Sequence, residues 1–320
     1  MTITAEQKEF KQGKIGASQS ASCLNRNRFG SAAQEFNRIK GVMPAFVDTT
    51  ATRVGEAMEP TILNEYNVTN GYNAEPYPET LIHPEEPRII AHCDGKDHKR
   101  DVLVEIKNVG PRRKEDWKED APESVKIQAC HQSMLDQTPR VDIVAYFGGN
   151  DLRVYEHEFE ESDWGSLYDG LKDFLGYVDR NECPPLTKAD LPFLKYFFKD
   201  EGTSVQATPI IENYARNLHK DKVRVKPDKD IEAHIKEAEF EIQKFMGTNS
   251  TLVGREGDVL FTWKTPKSKG STDWKAIAEY LWDHKEEPWY GYTWESAIQH
   301  FTHPKEGSRR FLCKLKSQEK

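Results

Sequence analysis

Two strand-like runs meet across Gly148-Gly149-Asn150-Asp151, with VDIVAYF (141–147) before the turn and LRVYEHE (152–158) after it. Glycine, Asn and Asp tolerate the backbone angles of a tight turn, so this segment is set to fold as a β-hairpin. A second pair precedes it: RIIAHCD (88–94) and DVLVEIKN (101–108), joined by a polar turn that starts at Gly95-Lys96-Asp97. Between the pairs, Pro122 opens a helical stretch at 123–136, and another helix follows the second pair at 162–180. Ahead of the first pair, Val54, Met58, Ile62 and Tyr66 recur at steps of four, which predicts a helix over Thr52–Tyr66 kinked at Pro60. The order helix, strand pair, helix, strand pair, helix predicts an α/β class in which helices pack on a mixed sheet.

Prolines at 184, 185 and 192 interrupt this pattern, and the texture changes beyond about residue 205. A domain boundary is expected there, giving domains 1–205 and 206–320. In the second domain Ile231, Ile235, Ala238, Ile242 and Phe245 form one stripe of a helix over 230–246, closed by Gly247. Residues 251–264 read as a hairpin, 273–285 as a helix and 309–316 as a final strand, an α+β extension. Trp263, Trp274, Trp282, Trp289 and Trp294 crowd this region, as a core or as a stacking surface for bases.

Composition narrows the function. Lys plus Arg is 45 and Asp plus Glu is 53, a net charge of −8. That argues against a protein that coats nucleic acid unselectively, but it leaves room for a nuclease with local carboxylates and a local basic strip. No apolar run approaches the eighteen residues a membrane span needs, and the first residues lack the apolar segment of a secretory signal. The five cysteines form no C-x-x-C pair, which disfavours a disulfide framework, a zinc ribbon or an iron–sulfur cluster and points to a reducing, cytoplasmic setting.

The segment richest in chemistry is HCDG…VEIKN. Asp94 ends one strand, and Glu105 and Lys107 lie two apart on the next, so their side chains share a face. A hairpin brings Asp94 and Glu105 together. Two converging carboxylates repel unless a cation sits between them, and oxygen ligands of this kind suit Mg²⁺ or Mn²⁺. A lysine beside them can steady charge on a phosphate or orient water, the equipment for metal-dependent phosphodiester hydrolysis. An isolated Glu-x-Lys triplet would be read as a surface ion pair; the strand context and the nearby aspartate set this one apart. The basic run Arg112, Arg113, Lys114 with Lys118, and Lys96, Lys99 and Arg100 in the turn, flank the site and would track a DNA backbone.

GASQSA (16–21), Gly55-x-x-x-Glu59, HCDG, EIKN and a Gln-bearing helix at 128–134 follow one another in order. In this the chain resembles the YqaJ viral recombinase family, which is similar to lambda-type exonucleases, within the PD-(D/E)XK nuclease superfamily. The resemblance implies a restriction-endonuclease-like core, a mixed central sheet flanked by helices. It makes Asp94, Glu105 and the backbone carbonyl of Ile106 ligands of Mg²⁺, replaceable by Mn²⁺ and present as two ions. Lys107 becomes the catalytic lysine, Glu59 the additional acid that serves the second ion, and Gln128 the glutamine near the scissile phosphate, with Gln132 one helical turn away as the alternative register. Ser18 would hold a DNA 5′-phosphate, with Arg28 and Lys11 as basic partners. Cys93 stands where the superfamily has its proline, and Lys11 where an arginine would be expected.

The reading that follows is a DNA exonuclease working 5′ to 3′ on linear double-stranded DNA in phage-type recombination. The resemblance further implies a homotrimer and a single-strand annealing protein as partner. An endonuclease or repair-complex nuclease module would use the same groups, and a DNA-binding assembly module without hydrolysis is the non-enzymatic alternative.

Overall fold

The computed structural model describes residues 13–43, 49–148, 150–223 and 229–266, together with 271–275, 277, 280, 298, 300, 302–303 and 308–315. The chain divides into two compact units between Phe193 and Leu194. That division lies ahead of the boundary expected near 205. Among the described residues no helix is long and apolar enough to cross a membrane.

The strands of the first unit are β1 (Ile15–Gly16), β2 (Glu75–Pro76), β3 (Leu81–Ile82), β4 (Ile89–Ala91), β5 (Gly95–Asp97), β6 (Val102–Val109), β7 (Arg140–Phe147) and β8 (Asp151–Glu158). Its helices are α1 (Ser20–Cys23), α2 (Ala32–Ile39), α3 (Thr50–Asn70), α4 (Glu123–Asp136) and α5 (Glu161–Arg180). Five strands form a mixed sheet in the order β2-β5-β6-β7-β8, with β6 and β7 parallel and the other pairs antiparallel. A parallel pair needs a crossover, and α4 provides it. The architecture is α/β, a mixed sheet flanked by helices, and the hairpin of β7 and β8 stands where the sequence places it.

The first strand pair differs from expectation. Ile89–Ala91 belongs to a separate three-stranded sheet ordered β1-β4-β3. The partner of β6 is β5, the Gly-Lys-Asp segment that reads as a turn. The actual turn follows it, held by the Asp97 carboxylate, which accepts from the backbone N–H groups of Lys99 (3.0 Å) and Arg100 (3.2 Å). Gly95 is glycine for packing: a Cβ there would sit 3.1 Å from both the Glu75 carbonyl and a Leu63 methyl. Helix α3 runs without interruption past Pro60 and stops at Gly71, whose φ of +69° favours glycine.

Alternation along β6 separates two cores. Leu103 and Val109 face α4 with Val141, Ile143 and Phe147, whereas Val104 and Ile106 face α3 with Ile62, Leu63 and Tyr66. By the same alternation Glu105 and Lys107 stand on the α4 face. A polar knot crosses the α3 side. Buried Asp142 accepts from the Tyr66 hydroxyl and from Arg100 (3.1 Å), and the Arg100 guanidinium lies 3.5 Å from the Tyr72 ring centroid. Arg100 and Lys96, which pairs with Asp136 and Thr138, are therefore tied into the fold rather than displayed as phosphate contacts.

Burial in α4 also makes a pH prediction. His131 is fully buried, its Nδ1 2.5 Å from the Ser20 hydroxyl, and burial pulls its imidazole down to about 3. The folded chain keeps it neutral, whereas the unfolded chain takes up a proton near pH 6.5. Its contribution is intact above that pH and is lost as the pH falls from about 6.5 toward 3, by up to about 1.4 kcal/mol per unit. Urea unfolding between pH 7 and 4 should show parent and His131→Asn proteins converging in stability as the pH drops; a constant gap would contradict the prediction.

The second unit contains α6 (Leu194–Phe197), β9 (Ser204–Gln206), α7 (Pro209–Val223), α8 (Lys229–Met246), β10 (Thr251–Val253), β11 (Val259–Lys264), β12 (Ser271–Thr272), β13 (Thr302–His303) and β14 (Arg310–Cys313). Four strands order as β14-β11-β10-β9. The expected helix at 230–246, hairpin at 251–264 and closing strand are all present. Trp263 is core and Trp274 is 58% exposed, while Trp282, Trp289, Trp294 and most of the helix expected at 273–285 lie outside the described residues.

Candidate active site

The register Gly95↔Val104 in the β5–β6 ladder carries Asp94 to the neighbourhood of Glu105. There the Ile106 backbone N–H donates to Asp94 Oδ2 at 2.7 Å. Glu105 is 1% exposed and held at both oxygens. Oε1 pairs with the Lys107 ammonium and accepts from Gln128 Nε2 at 2.6 Å. Oε2 accepts from Gln132 Nε2 at 2.5 Å, and the same amide nitrogen donates to the His92 carbonyl at 2.8 Å. The two glutamines, one turn apart on α4, thus share the carboxylate. Gln132 Oε1 is buried without a partner among the described residues.

A cavity of about 300 Å³ opens over these groups. Of the residues expected at the site, Ser18, Glu59, Asp94, Glu105, Ile106, Lys107 and Gln128 line it. So do Lys14 and Arg38, which no sequence motif marks. Burial, then the charge of Glu105, drives the Asp94 carboxyl well above the usual carboxylate range. Burial also raises Glu59. Burial alone would lower Lys107, but Glu105 and Asp94 outweigh it and hold the ammonium above its ordinary value.

The remaining expected residues lie elsewhere. Arg28 forms a two-pronged pair with Asp116 (3.2 and 2.8 Å) and sits 4.5 Å from the Phe29 ring centroid, away from Ser18's cavity. Its partner is distant in sequence, so spacing alone could not disclose the pairing. Arg113 shares Asp116 at 3.3 Å, and Lys114 pairs with Asp151 at 2.5 Å. Arg112 and Lys118 are exposed. Lys11 lies outside the described residues.

Among the described residues, no three His, Cys, Asp or Glu side chains are placed to hold an ion together. Mg²⁺ does not require that, since it takes one or two carboxylates and fills the rest of its shell with water and phosphate oxygens. Glu105, buried, and Asp94, half-buried and crowded by it, fit that demand, with Glu59 in the cavity wall. The donor set does not suit zinc.

Residues 6–135 match the YqaJ-like viral recombinase domain family, a span that includes every residue lining the cavity. The match runs past β1 and α3 to Leu135 in α4, so it covers Asp94, Glu105 and Lys107 together with the glutamine pair that holds them.

No curated protein matches the chain. Among solved structures it is similar to an alkaline exonuclease from Laribacter hongkongensis in complex with dAMP, at 18% identity over 56% of this chain and 94% of that one, with a TM-score of 0.48. A second structure of the same enzyme matches at 18% identity over 54% and 93%, with a TM-score of 0.46. A phage-related exonuclease from Haemophilus somnus 129PT matches at 14% identity over 52% and 94%, with a TM-score of 0.42.

Proposed function

We propose that the chain is a metal-dependent deoxyribonuclease, an exonuclease that degrades one strand of linear duplex DNA from a 5′ end and leaves single-stranded DNA for phage-type recombination. The observation that carries this reading is the convergence of Asp94 and Glu105 beside Lys107 in one cavity. The match to the YqaJ-like family supports the same chemistry.

In this reading Asp94, Glu105 and the Ile106 carbonyl hold Mg²⁺, with Glu59 serving a second ion. The ions would supply positive charge to the phosphate oxygens and acidify water. Gln128 and Gln132 fix the Glu105 carboxylate so that it meets the substrate without rearranging. Lys107 keeps its proton and offsets negative charge that grows on the phosphate. Ser18, which lines the same cavity, offers a hydroxyl to a phosphate. A homotrimer and a single-strand annealing partner complete the proposal.

The test is a linear duplex labelled at one 5′ end, incubated in Mg²⁺ and in EDTA beside a closed circular duplex. The expected outcome is stepwise loss from the 5′ end in Mg²⁺ alone, with the circle intact. Cutting of the circle would replace the exonuclease by an endonuclease. No Mg²⁺-dependent cutting of either substrate would leave a binding module.

A further inference from the structure

We infer that Arg38, assisted by Lys14, grips a phosphate of the substrate strand in the cavity that Ser18 shares with the acids. The inference rests on the hydrolytic reading above and names a contact that the sequence motifs do not.

Charge is the first argument. The cavity is lined by three carboxylates, Glu59, Asp94 and Glu105, and by three cations, Lys14, Arg38 and Lys107. Lys107 is ion-paired with Glu105 and Arg38 with Glu35, but the Arg38 pair is made through Nε and leaves the far edge of the guanidinium to the cavity. A DNA phosphate entering a space walled by three acids is repelled unless cations on the approach outweigh them. Arg38 and Lys14 are the other cations that line it among the described residues.

Geometry is the second. Arg38 Nε donates to Glu35 Oε2 at 2.6 Å, and Nη2 donates to the Lys14 carbonyl at 3.3 Å. These contacts fix the plane of the guanidinium from two sides, and neither engages Nη1. A planar cation whose orientation is set before the ligand arrives is the donor that phosphate recognition favours, because little side-chain freedom is lost on binding. Its anchor is itself firm: the Glu35 side chain is only 15% exposed. The same contact to the Lys14 carbonyl ties the strand leading into β1 to α2, so the two cations reach the cavity as one unit. In Arg28, which the sequence offers for this role, both Nη1 and Nη2 donate to Asp116, whereas Arg38 meets Glu35 through Nε.

The phosphate could be a terminal 5′-monoester or the diester next to the cleaved bond, and the experiment separates them. Arg38→Gln and Arg38→Lys proteins are compared with the parent on linear duplexes bearing a 5′-phosphate or a 5′-hydroxyl. Binding to each is measured against salt in the Glu105→Gln background. Arg38→Gln should raise KM about ten-fold or more, by loss of a charge-assisted pair, and reduce the slope of log affinity against log salt by about one. Arg38→Lys should restore the slope but only part of the affinity, a split that a merely structural role would not produce; it also carries the test if the glutamine variant fails to fold. Loss confined to 5′-phosphorylated ends assigns the terminal group, and equal loss on both ends assigns the diester. An active parent whose Arg38→Gln form keeps its KM and salt slope overturns this inference alone. A parent that cuts no DNA in Mg²⁺ removes the hydrolytic reading and this inference with it.

Discussion

Glu105→Gln should lower strand hydrolysis about a thousand-fold or more while leaving the protein within about 1 kcal/mol of the parent's stability. Both halves follow from one environment. Glu105 is almost completely buried, and its charge presses on Asp94, whose carboxyl is held well above the usual range. Removing that charge relieves repulsion between two acids that the fold forces together. Glutamine keeps the shape, and its oxygen can still face Lys107 and Gln128. Its NH₂ then meets the Gln132 amide, whose Oε1 lacks a partner among the described residues and can turn to accept, at the cost of the bond to the His92 carbonyl. Catalysis has no such substitute, because an amide oxygen carries no full charge to hold a divalent ion against the phosphate. Rates on a labelled linear duplex and melting curves, run on the same preparations, check the two halves together. A variant that cuts within ten-fold of the parent would remove Glu105 from the site, and one that unfolds would show the carboxylate to be structural.

The parts of this molecule legible in its sequence are those that local periodicity encodes. The two-residue alternation of VEIKN and VDIVAYF fixes which side chains face α4, and that is enough to put Glu105 and Lys107 on one wall. The stripe of α8 needs only its own period to be seen: Ala238 and Ile242 are buried, and Ile231, Ile235 and Phe245 are half-buried. Helix α7 carried a usable signal as well, with Ile211, Ala215 and Leu218 at helical steps and all buried. What local pattern does not contain is the choice between long-range partners. A three-residue strand such as β4 has too few positions to declare which sheet it joins. Whether a surface arginine meets DNA or a carboxylate depends on what the fold delivers opposite it. Asp116 reaches Arg28 and Asp142 reaches Arg100, while Arg38 is carried to the cavity from a helix outside every motif.

Arg309→Met should destabilise the second unit by about 3 kcal/mol or more. The Arg309 side chain is 2% exposed, and its cationic head serves as a hub for backbone carbonyls. It donates to Trp263 (3.0 and 2.7 Å), Phe198 (3.2 Å), Gly247 (2.8 Å), Thr248 (3.5 Å) and Asn249 (2.6 Å), and it lies 3.8 Å from the Trp263 ring centroid. The Gly247, Thr248 and Asn249 carbonyls directly follow α8, so the guanidinium holds the segment by which the chain leaves that helix. At the same time it clamps that segment to β11 through the Trp263 carbonyl. Burial pulls the Arg309 pKa down and Asp200, 4.0 Å away, opposes the shift, so the charge is retained. Methionine replaces the stem of the side chain but takes the donor from the Trp263, Phe198, Gly247 and Asn249 carbonyls, which are buried or partly buried, each loss costing about 1–3 kcal/mol unless another donor or water reaches it, while the Thr248 carbonyl keeps the Glu201 N–H at 3.0 Å. Arg309→Lys should rescue little, because three donors on one nitrogen cannot span carbonyls lying on both sides of a planar fork. Hydrogen exchange on the full chain reads the effect by region. Protection should fall across Thr251–Val253 and Val259–Lys264 while Arg140–Phe147 in the first unit keeps its rate. Unchanged protection across β11 would show that the carbonyl hub contributes far less than its geometry indicates.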